Sequence, residues 1–163
     1  MSEPSFPPRT ATVERTTDET EVAIDLTLDG DGTYDVDTGV GFFDHMINLF
    51  AKHGSLDLTV QCDGDLEVDD HHTIEDAAIG LGQAVRQALG DKAHIARYGH
   101  AHVPMDDALA RAVIDLSGRS YCRLDASFER GHVGNFSTEM VQRAWSATER
   151  HTCSTISVEK FPT

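Results

Sequence analysis

The sequence predicts an α+β fold made of two similar half-domains, and three observations lead to it. Strand patterns and helical patterns follow one another over the first 92 residues. A similar series begins after residue 93, where Ile-Asp-Leu returns at Ile114, about 90 positions after Ile24. With 163 residues, 39% of them hydrophobic, the chain is long enough to bury one core or two small fused ones.

The first half-domain, residues 9–92, alternates strands with helices. The strand segments are rich in β-branched side chains and are separated by turn signals such as Asp-Gly-Asp-Gly at 29–32. The helical segments have apolar residues at helical spacing and stop at glycines. In chain order we expect strands at 11–16, 21–28 and 33–37, a helix at 43–53 that stops at Gly54, a strand at 56–62, a turn at 63–65, and a helix capped by Asp70 that ends at Gly90.

A second half-domain begins at residue 93 and repeats the order of the first. Residues 97–105 resemble the first strand, and residues 112–118 echo the segment that contains Ile24. Residues 136–141 stand where the first half has its first helix. An internal duplication explains these matches, and the alternative is coincidence among short strand patterns.

The last residues, 142–163, differ from the rest of the chain. They carry three basic and two acidic side chains, whereas the whole chain has 13 basic and 28 acidic ones. Their pattern predicts no long helix, and the HHxxE motif at 71–75 does not occur a second time. We expect an aberrant segment, produced by a frameshift or another alteration, after a second half-domain left incomplete at 93–141. The alternative is a divergent but genuine C-terminus.

The composition excludes several classes of function. A formal net charge of −15 at pH 7 repels nucleic acid and anionic membranes, and it suits a salt-rich cytoplasm or an ordinary acidic protein. Cys62, Cys122 and Cys153 are too widely spaced for a disulfide framework or a CxxC metal site. Residues 1–8, expected to be flexible, contain no signal-peptide pattern, and no apolar run approaches the roughly 18 residues of a membrane span. We expect a cytoplasmic protein without nucleic-acid or membrane partners.

The segment DDHHTIED at 69–76 is the strongest candidate for a functional site. On a helix, His71 and Glu75 lie one turn apart on the same face, whereas His72 points about 100° away. We therefore expect the two imidazoles to serve two different metal ions. Imidazole and carboxylate ligands suit Mn, Fe, Zn or Ni, and the neighbouring aspartates are possible outer acceptors. The alternative is a solvated acidic helix start whose histidines bind nothing.

Six motifs occur in this order: ERTTDET at 14–20, DTGVGFFDHM at 37–46, DDHHTIEDAAIGLGQA at 69–84, RYGHAHVPMDDAL at 97–109, DLSGR at 115–119 and VGNFSTEMV at 133–141. Through them residues 9–141 resemble the imidazoleglycerol-phosphate dehydratase family of histidine biosynthesis. The resemblance implies a duplicated fold of the ribosomal protein S5 domain 2-like type, each four-stranded sheet backed by two helices, and a large homo-oligomer of cubic symmetry. It also implies dehydration of imidazole glycerol phosphate to imidazole acetol phosphate with two Mn²⁺ per site.

The resemblance also implies a division of the metal ligands. His45 and His72 belong to one metal, and His71 with Glu75 to the other. Such ions would stabilise negative charge on the imidazole ring of the substrate and ease the loss of an unactivated C–H proton.

Three further residues are implied to contact the substrate. Glu19 aligns with a family carboxylate, and together with Glu75 it is a candidate catalytic group; without the resemblance it would be an ordinary solvated turn residue. Arg97 and Arg119 align with arginines that hold the substrate phosphate, to which the fork of a guanidinium is well suited.

The sequence departs from the family after Met140. The family has a histidine three residues later, where this chain has Arg143, and then a second HHxxE and a phosphate-binding segment that do not occur here. Half of each ligand set is then missing, and a guanidinium at a metal position repels the ion. We expect an inactive or weakly active dehydratase, poorly soluble when made alone. The alternative is a non-catalytic metal-binding or assembly subunit that uses only the first half.

Overall fold

The computed structural model describes residues 7–162, so most of the segment at 1–8 lies outside the described part of the chain. The described residues form three helices, two four-stranded sheets and one short hairpin. The elements are β1 (Thr10–Thr16), β2 (Thr20–Thr27), β3 (Tyr34–Asp37), α1 (Gly41–Gly54), β4 (Asp57–Gly64), α2 (His71–Leu89), β5 (Tyr98–Met105), β6 (Ala108–Asp115), β7 (Tyr121–Asp125), β8 (His132–Val133), β9 (Phe136–Ser137), α3 (Met140–Thr152) and β10 (Thr155–Pro162).

The first sheet has the strand order β1-β2-β4-β3. The pairs β1/β2 and β2/β4 are antiparallel, and β3 runs parallel to β4. Every second residue of β2 from Thr20 to Leu26 is buried, because successive side chains point to opposite faces and α2 packs on one of them. Gly80 lets α2 come close, since a Cβ at this position would lie 2.9 Å from Cδ1 of Ile24.

The second sheet repeats this topology in the order β5-β6-β10-β7. Its first two pairs are again antiparallel, and β7 again runs parallel to its neighbour, β10. Helix α3 precedes β10 in the chain as α1 precedes β4. The predicted α+β fold and its internal duplication are therefore confirmed.

The structure corrects the expectation that residues 142–163 have no long helix. Helix α3 and strand β10 together span Met140 to Pro162, and β10 lies inside the second sheet between β6 and β7. Met140 and Ala147 are buried at helical spacing, and Ile156 is buried in the strand. Polar side chains lie between these apolar positions, so the sequence of this segment shows no clear helical or strand period. The second half-domain thus has all four strands and one helix among the described residues.

Helices α2 and α3 pack closely against each other. A Cβ on Gly82 of α2 would lie 2.5 Å from the carbonyl oxygen of Thr148, so only glycine fits without a shift of the α3 backbone. The hydroxyl of Thr148 donates a hydrogen bond of 3.2 Å to the carbonyl of Ala78. Since α2 covers the first sheet and α3 lies on β7, the two helices join the half-domains.

Strand β5 is uncovered. All eight of its residues are exposed, with Tyr98 and Met105 retaining 77% and 70% of their accessible surface. In the first half-domain the corresponding strand, β1, is covered by α2. None of the helices within residues 7–162 is long and apolar enough to cross a membrane.

Candidate active site

The first turn of α2 presents two imidazoles and a carboxylate. Nε2 of His71 lies 3.5 Å from Oε2 of Glu75, one turn along the helix. The ring of His72 has its centroid 5.8 Å from that of His71 and is tilted by 69°. The two histidines therefore present their nitrogens in different directions, in keeping with the helical spacing.

His72 has a carboxylate partner that was not among the sequence candidates. Its Nδ1 lies 2.9 Å from Oδ2 of Asp65, in the segment between β4 and α2. This hydrogen bond raises the pKa of His72 above its ordinary value; burial opposes the rise, and the charges of Asp65, Glu19 and Asp69 add to it. The sequence analysis assigned Asp65 only to a turn. The sequence offered one indication of this contact, namely that Asp65 is an acidic residue in the short segment between β4 and the helix that carries the histidines.

Two aspartates hold the start of α2, but neither caps it in the expected way. Asp70 precedes the helix, yet its Oδ2 accepts a hydrogen bond of 3.1 Å from the backbone N–H of Ser137 in β9. The N–H of His71 donates instead to Oδ1 of Asp69, at 2.8 Å. The expected side-chain cap by Asp70 is therefore wrong, because a tertiary contact with β9 occupies that carboxylate.

Asp76 faces the sheet rather than the histidines. Its carboxylate accepts hydrogen bonds from Thr20 at 2.5 Å, from Arg15 at 2.8 Å and from Thr17 at 3.2 Å. Burial alone would raise the pKa of Asp76, but the donors outweigh it and the pKa lies below its ordinary value. Asp76 thereby fixes the β1–β2 turn that carries Glu19, and it does not serve as an outer acceptor for the histidines.

The other predicted metal ligand, His45, comes from a different helix. It lies near the start of α1 with its ring centroid 6.5 Å from that of Phe42. Within residues 7–162, no three His, Cys, Asp or Glu side chains come close enough together to hold a metal ion. The negative charge of Glu19 is one of the causes that raise the pKa of His72. The ligand set inferred from the resemblance therefore stays a prediction.

The two predicted substrate arginines surround one carboxylate. Nε and Nη2 of Arg97 donate to the two oxygens of Asp115, at 2.8 and 3.1 Å. This contact lowers the pKa of Asp115, burial works against it, and the charges of Arg97, Arg119 and Lys92 lower the pKa further. Lys92, which the sequence analysis did not single out, also donates to the carbonyl of Leu116 at 3.0 Å. These three cations form a basic cluster.

The basic cluster and the histidines lie at opposite ends of α2. The N–H of Lys92 bonds to the carbonyl of Leu89, the last residue of that helix, at 2.9 Å. Helix α2 has 19 residues, so at the usual rise per residue its ends are separated by about 27 Å. His71 and His72 of one chain therefore lie far from its own Arg97 and Arg119.

A groove of about 420 Å³ runs between α2 and α3. Glu75 lines it from α2, and Arg143, Arg150 and His151 line it from α3. Arg143, which stands where the resemblance implies a histidine, therefore faces the same space as the predicted metal ligand Glu75. The groove combines the carboxylates of Glu75 and Glu139 with two guanidinium groups.

Two sheets of the same topology, joined by a helix with imidazoles at one end and a cationic cluster at the other, define a duplicated α+β protein with two separate clusters of functional side chains. The sequence profile described as imidazoleglycerol-phosphate dehydratase matches residues 38–162. The chain belongs to the imidazoleglycerol-phosphate dehydratase family. Because the match includes residues 142–162, the expectation that this segment is unlike the family is corrected.

Relatives cover most of the chain. The imidazoleglycerol-phosphate dehydratase of Salinibacter ruber is 76% identical over 151 residues, which are 93% of this chain and 75% of that protein. The enzyme of Chloroherpeton thalassium is 52% identical over 154 residues, or 94% of this chain and 79% of the relative. The crystal structure of the dehydratase from Staphylococcus aureus superposes with a TM-score of 0.84 at 35% identity, covering 94% of this chain and 85% of that one.

Proposed function

We propose that the chain is a cytoplasmic hydro-lyase that converts imidazole glycerol phosphate to imidazole acetol phosphate and water. Family membership supports a dehydratase of histidine biosynthesis. The observation that carries the finer proposal is the start of α2, where His71 and Glu75 lie 3.5 Å apart and His72 is fixed by Asp65. Neutral imidazole and carboxylate donors of this kind suit Mn²⁺.

The donor set fits a divalent metal. The carboxylate of Asp65 keeps one oxygen, Oδ1, buried without a hydrogen-bond partner within residues 7–162, so the site retains negative potential. His71 with Glu75 would hold one Mn²⁺, and His72 with His45 the other. When bound, the ions would supply Lewis-acid stabilisation of charge on the substrate ring.

The remaining groups bind the substrate and move its protons. Glu19, whose charge reaches His72, is the proposed acid-base group that takes the C–H proton, and Glu75 is the second candidate. Arg97 and Arg119 hold the phosphate through charge-assisted hydrogen bonds, with Arg97 exchanging its contacts with Asp115 for contacts with the ligand. These roles extend the family resemblance to the residues of this chain.

The site is shared between copies of the chain. The length of α2 separates His72 from Arg97 by far more than the size of imidazole glycerol phosphate. Self-association, in the large homo-oligomer that the family implies, brings the basic cluster of one copy to the histidines of another. We expect a mixture of His72→Ala and Arg97→Ala chains, refolded together, to regain turnover that neither variant has alone. The double variant His72→Ala/Arg97→Ala mixed with itself is the control, and no gain in the mixture would contradict a shared site.

Turnover of the chain as it stands is low because Arg143 lines the groove with Glu75. A fixed positive charge there opposes a divalent cation. We expect Arg143→His to raise Mn²⁺-dependent formation of imidazole acetol phosphate, followed by mass spectrometry, at least tenfold. Arg150→His, in the same groove two turns further along α3, is the matched control and should not have this effect.

A second outcome would change the assignment. If Arg143→His binds Mn²⁺ but gives no product above background, the chain is a metal-binding or assembly subunit that uses its first half.

A further inference from the structure

We propose that Asp65 is a positioning residue that holds His72 in the tautomer with the proton on Nδ1, which leaves Nε2 free to bind a metal. The inference rests on the proposed function for its purpose, but its central claim concerns the imidazole alone. The hydrogen bond connects Asp65, which lies between β4 and α2, with His72 of the proposed active site.

The geometry selects one nitrogen of the ring. Nδ1 of His72 lies 2.9 Å from Oδ2 of Asp65, and a carboxylate can only accept a hydrogen bond. The proton of the neutral ring must therefore sit on Nδ1. Nε2 then carries the lone pair, and the side chain of His72 is 44% exposed, so a ligand can reach this atom.

Asp65 is held more rigidly than its partner. Its side chain is only 20% exposed, and its carbonyl accepts a hydrogen bond of 2.8 Å from the N–H of Val68. The N–H of Leu66 bonds in turn to the carbonyl of Gly64, also at 2.8 Å. These bonds hold the backbone of Asp65, and its side chain is less exposed than that of His72, so we infer that Asp65 orients the ring.

The buried second oxygen of Asp65 makes the hydrogen bond between its carboxylate and His72 more important. Oδ1 has no hydrogen-bond partner in the described part of the chain, so the carboxylate depends on the imidazole for its compensation. A carboxylate behind a metal-binding imidazole fixes its orientation and raises its basicity, and loss of such a partner typically lowers metal affinity about 10- to 100-fold. His71 differs, because its Nε2 faces Glu75 and both can reach the same ion.

The direct test is the tautomer of His72 in the metal-free protein. We expect ¹⁵N-detected correlation spectra of histidine-labelled protein at pH 9, where the ring is neutral, to show a protonated Nδ1 and an unprotonated Nε2. In Asp65→Ala the equilibrium should return to the Nε2-protonated form that neutral imidazole side chains favour in water. Asp63→Ala, near the end of β4 and with no hydrogen bond to His72, should leave the tautomer unchanged.

A second measurement connects the tautomer to metal binding. We expect the Kd for Mn²⁺ to rise about 10- to 100-fold in Asp65→Ala. In a His72→Ala background, where the ligand itself is gone, adding Asp65→Ala should raise the Kd little further. If His72 in the parent protein carries its proton on Nε2, the inference is wrong, whether or not any variant folds. If the tautomer is as expected but Mn²⁺ does not bind, the role of Asp65 stands and the proposed function fails.

Discussion

Asp76 is one residue beyond Glu75, yet it serves the fold rather than the metal. Its three donors all come from the β1–β2 region, so the carboxylate connects α2 to the turn that bears Glu19. We expect Asp76→Asn to lower the free energy of unfolding by about 2 kcal/mol, because Arg15 loses its charged partner in a partly buried place. Urea denaturation at pH 7 measures this change.

The pH dependence of that variant has a definite sign. Since the folded protein holds the pKa of Asp76 below its ordinary value, the ionised carboxylate contributes stability above about pH 4, and this contribution is lost as the pH falls through the lower folded pKa. The difference between parent and Asp76→Asn should shrink in acid. Asp25→Asn, which removes an exposed carboxylate bonded to Thr12, is the control and should change stability little.

At the residue scale, what could be predicted depended on distance along the chain. The helical repeat alone relates His71 to Glu75, so their contact was predictable. Asp65 meets His72 only because the end of β4 comes against α2, where a Cβ on Gly64 would lie 2.2 Å from Oγ1 of Thr73. Nothing in the local sequence encodes that approach.

The contact between α2 and α3 determines how the two half-domains are joined. At Gly82, a methyl group would overlap the α3 backbone, which cannot move aside as a flexible side chain can. We expect Gly82→Ala to lower the free energy of unfolding by about 1–3 kcal/mol, as overpacking does. Gly41→Ala is the matched control, because a Cβ there meets nothing within 4 Å at the start of α1. Equal melting temperatures for the two variants would contradict this close packing.

Helix α3 also buries an acid. Burial raises the pKa of Glu149 above its ordinary value against the lowering effect of Arg150, and Oε1 has no partner within the described residues. The ionised form is thus disfavoured in the folded state, and stability declines as the pH rises through the raised pKa. We expect the stability of Glu149→Gln relative to the parent to increase between pH 4 and pH 7.

Thermal unfolding at several pH values measures this trend. Glu139→Gln, at an exposed position just before α3, removes the same charge and serves as the control. A pH-independent difference between Glu149→Gln and the parent would show that the buried acid does not titrate with folding.

At the element scale, the strands and helices of the first half were predictable because their apolar periods are regular. Helix α3 and strand β10 were not recognised, since α3 buries Glu149 and Thr152 together with Met140 and Ala147. A helix whose buried face includes polar residues has no clean amphipathic pattern, and packing on α2 decides its formation.

The whole molecule carries a net charge of −15 at pH 7. Raising KCl from about 0.1 M to about 1 M shortens the Debye length from about 10 Å to about 3 Å and screens this self-repulsion. We expect the free energy of unfolding at pH 7 to increase over that range. The increase should be smaller at pH 5, where part of the negative charge has been removed. Equal salt effects at the two pH values would assign the stabilisation to general solvent effects instead.

At the scale of the molecule, the duplication was predictable because Ile-Asp-Leu occurs within β2 and again at the end of β6, and these strands occupy equivalent places in their sheets. The separation of the two functional clusters was not. The predicted helix between Asp70 and Gly90 already stood between His72 and Arg97, but the sequence did not show whether the chain after that helix returns to its start. Only the tertiary arrangement of that helix reveals it.

The hydrogen bond from the Ser137 amide to Asp70 ties the β8–β9 hairpin to the residue just before His71. We expect a ligand that orders the start of α2 to favour docking of the hairpin, and by reciprocity the docked hairpin would then favour the ligand to the same extent. Hydrogen exchange at the Ser137 amide would then register occupancy of a site that Ser137 itself does not touch, so the second half-domain would report on ligand binding by the first.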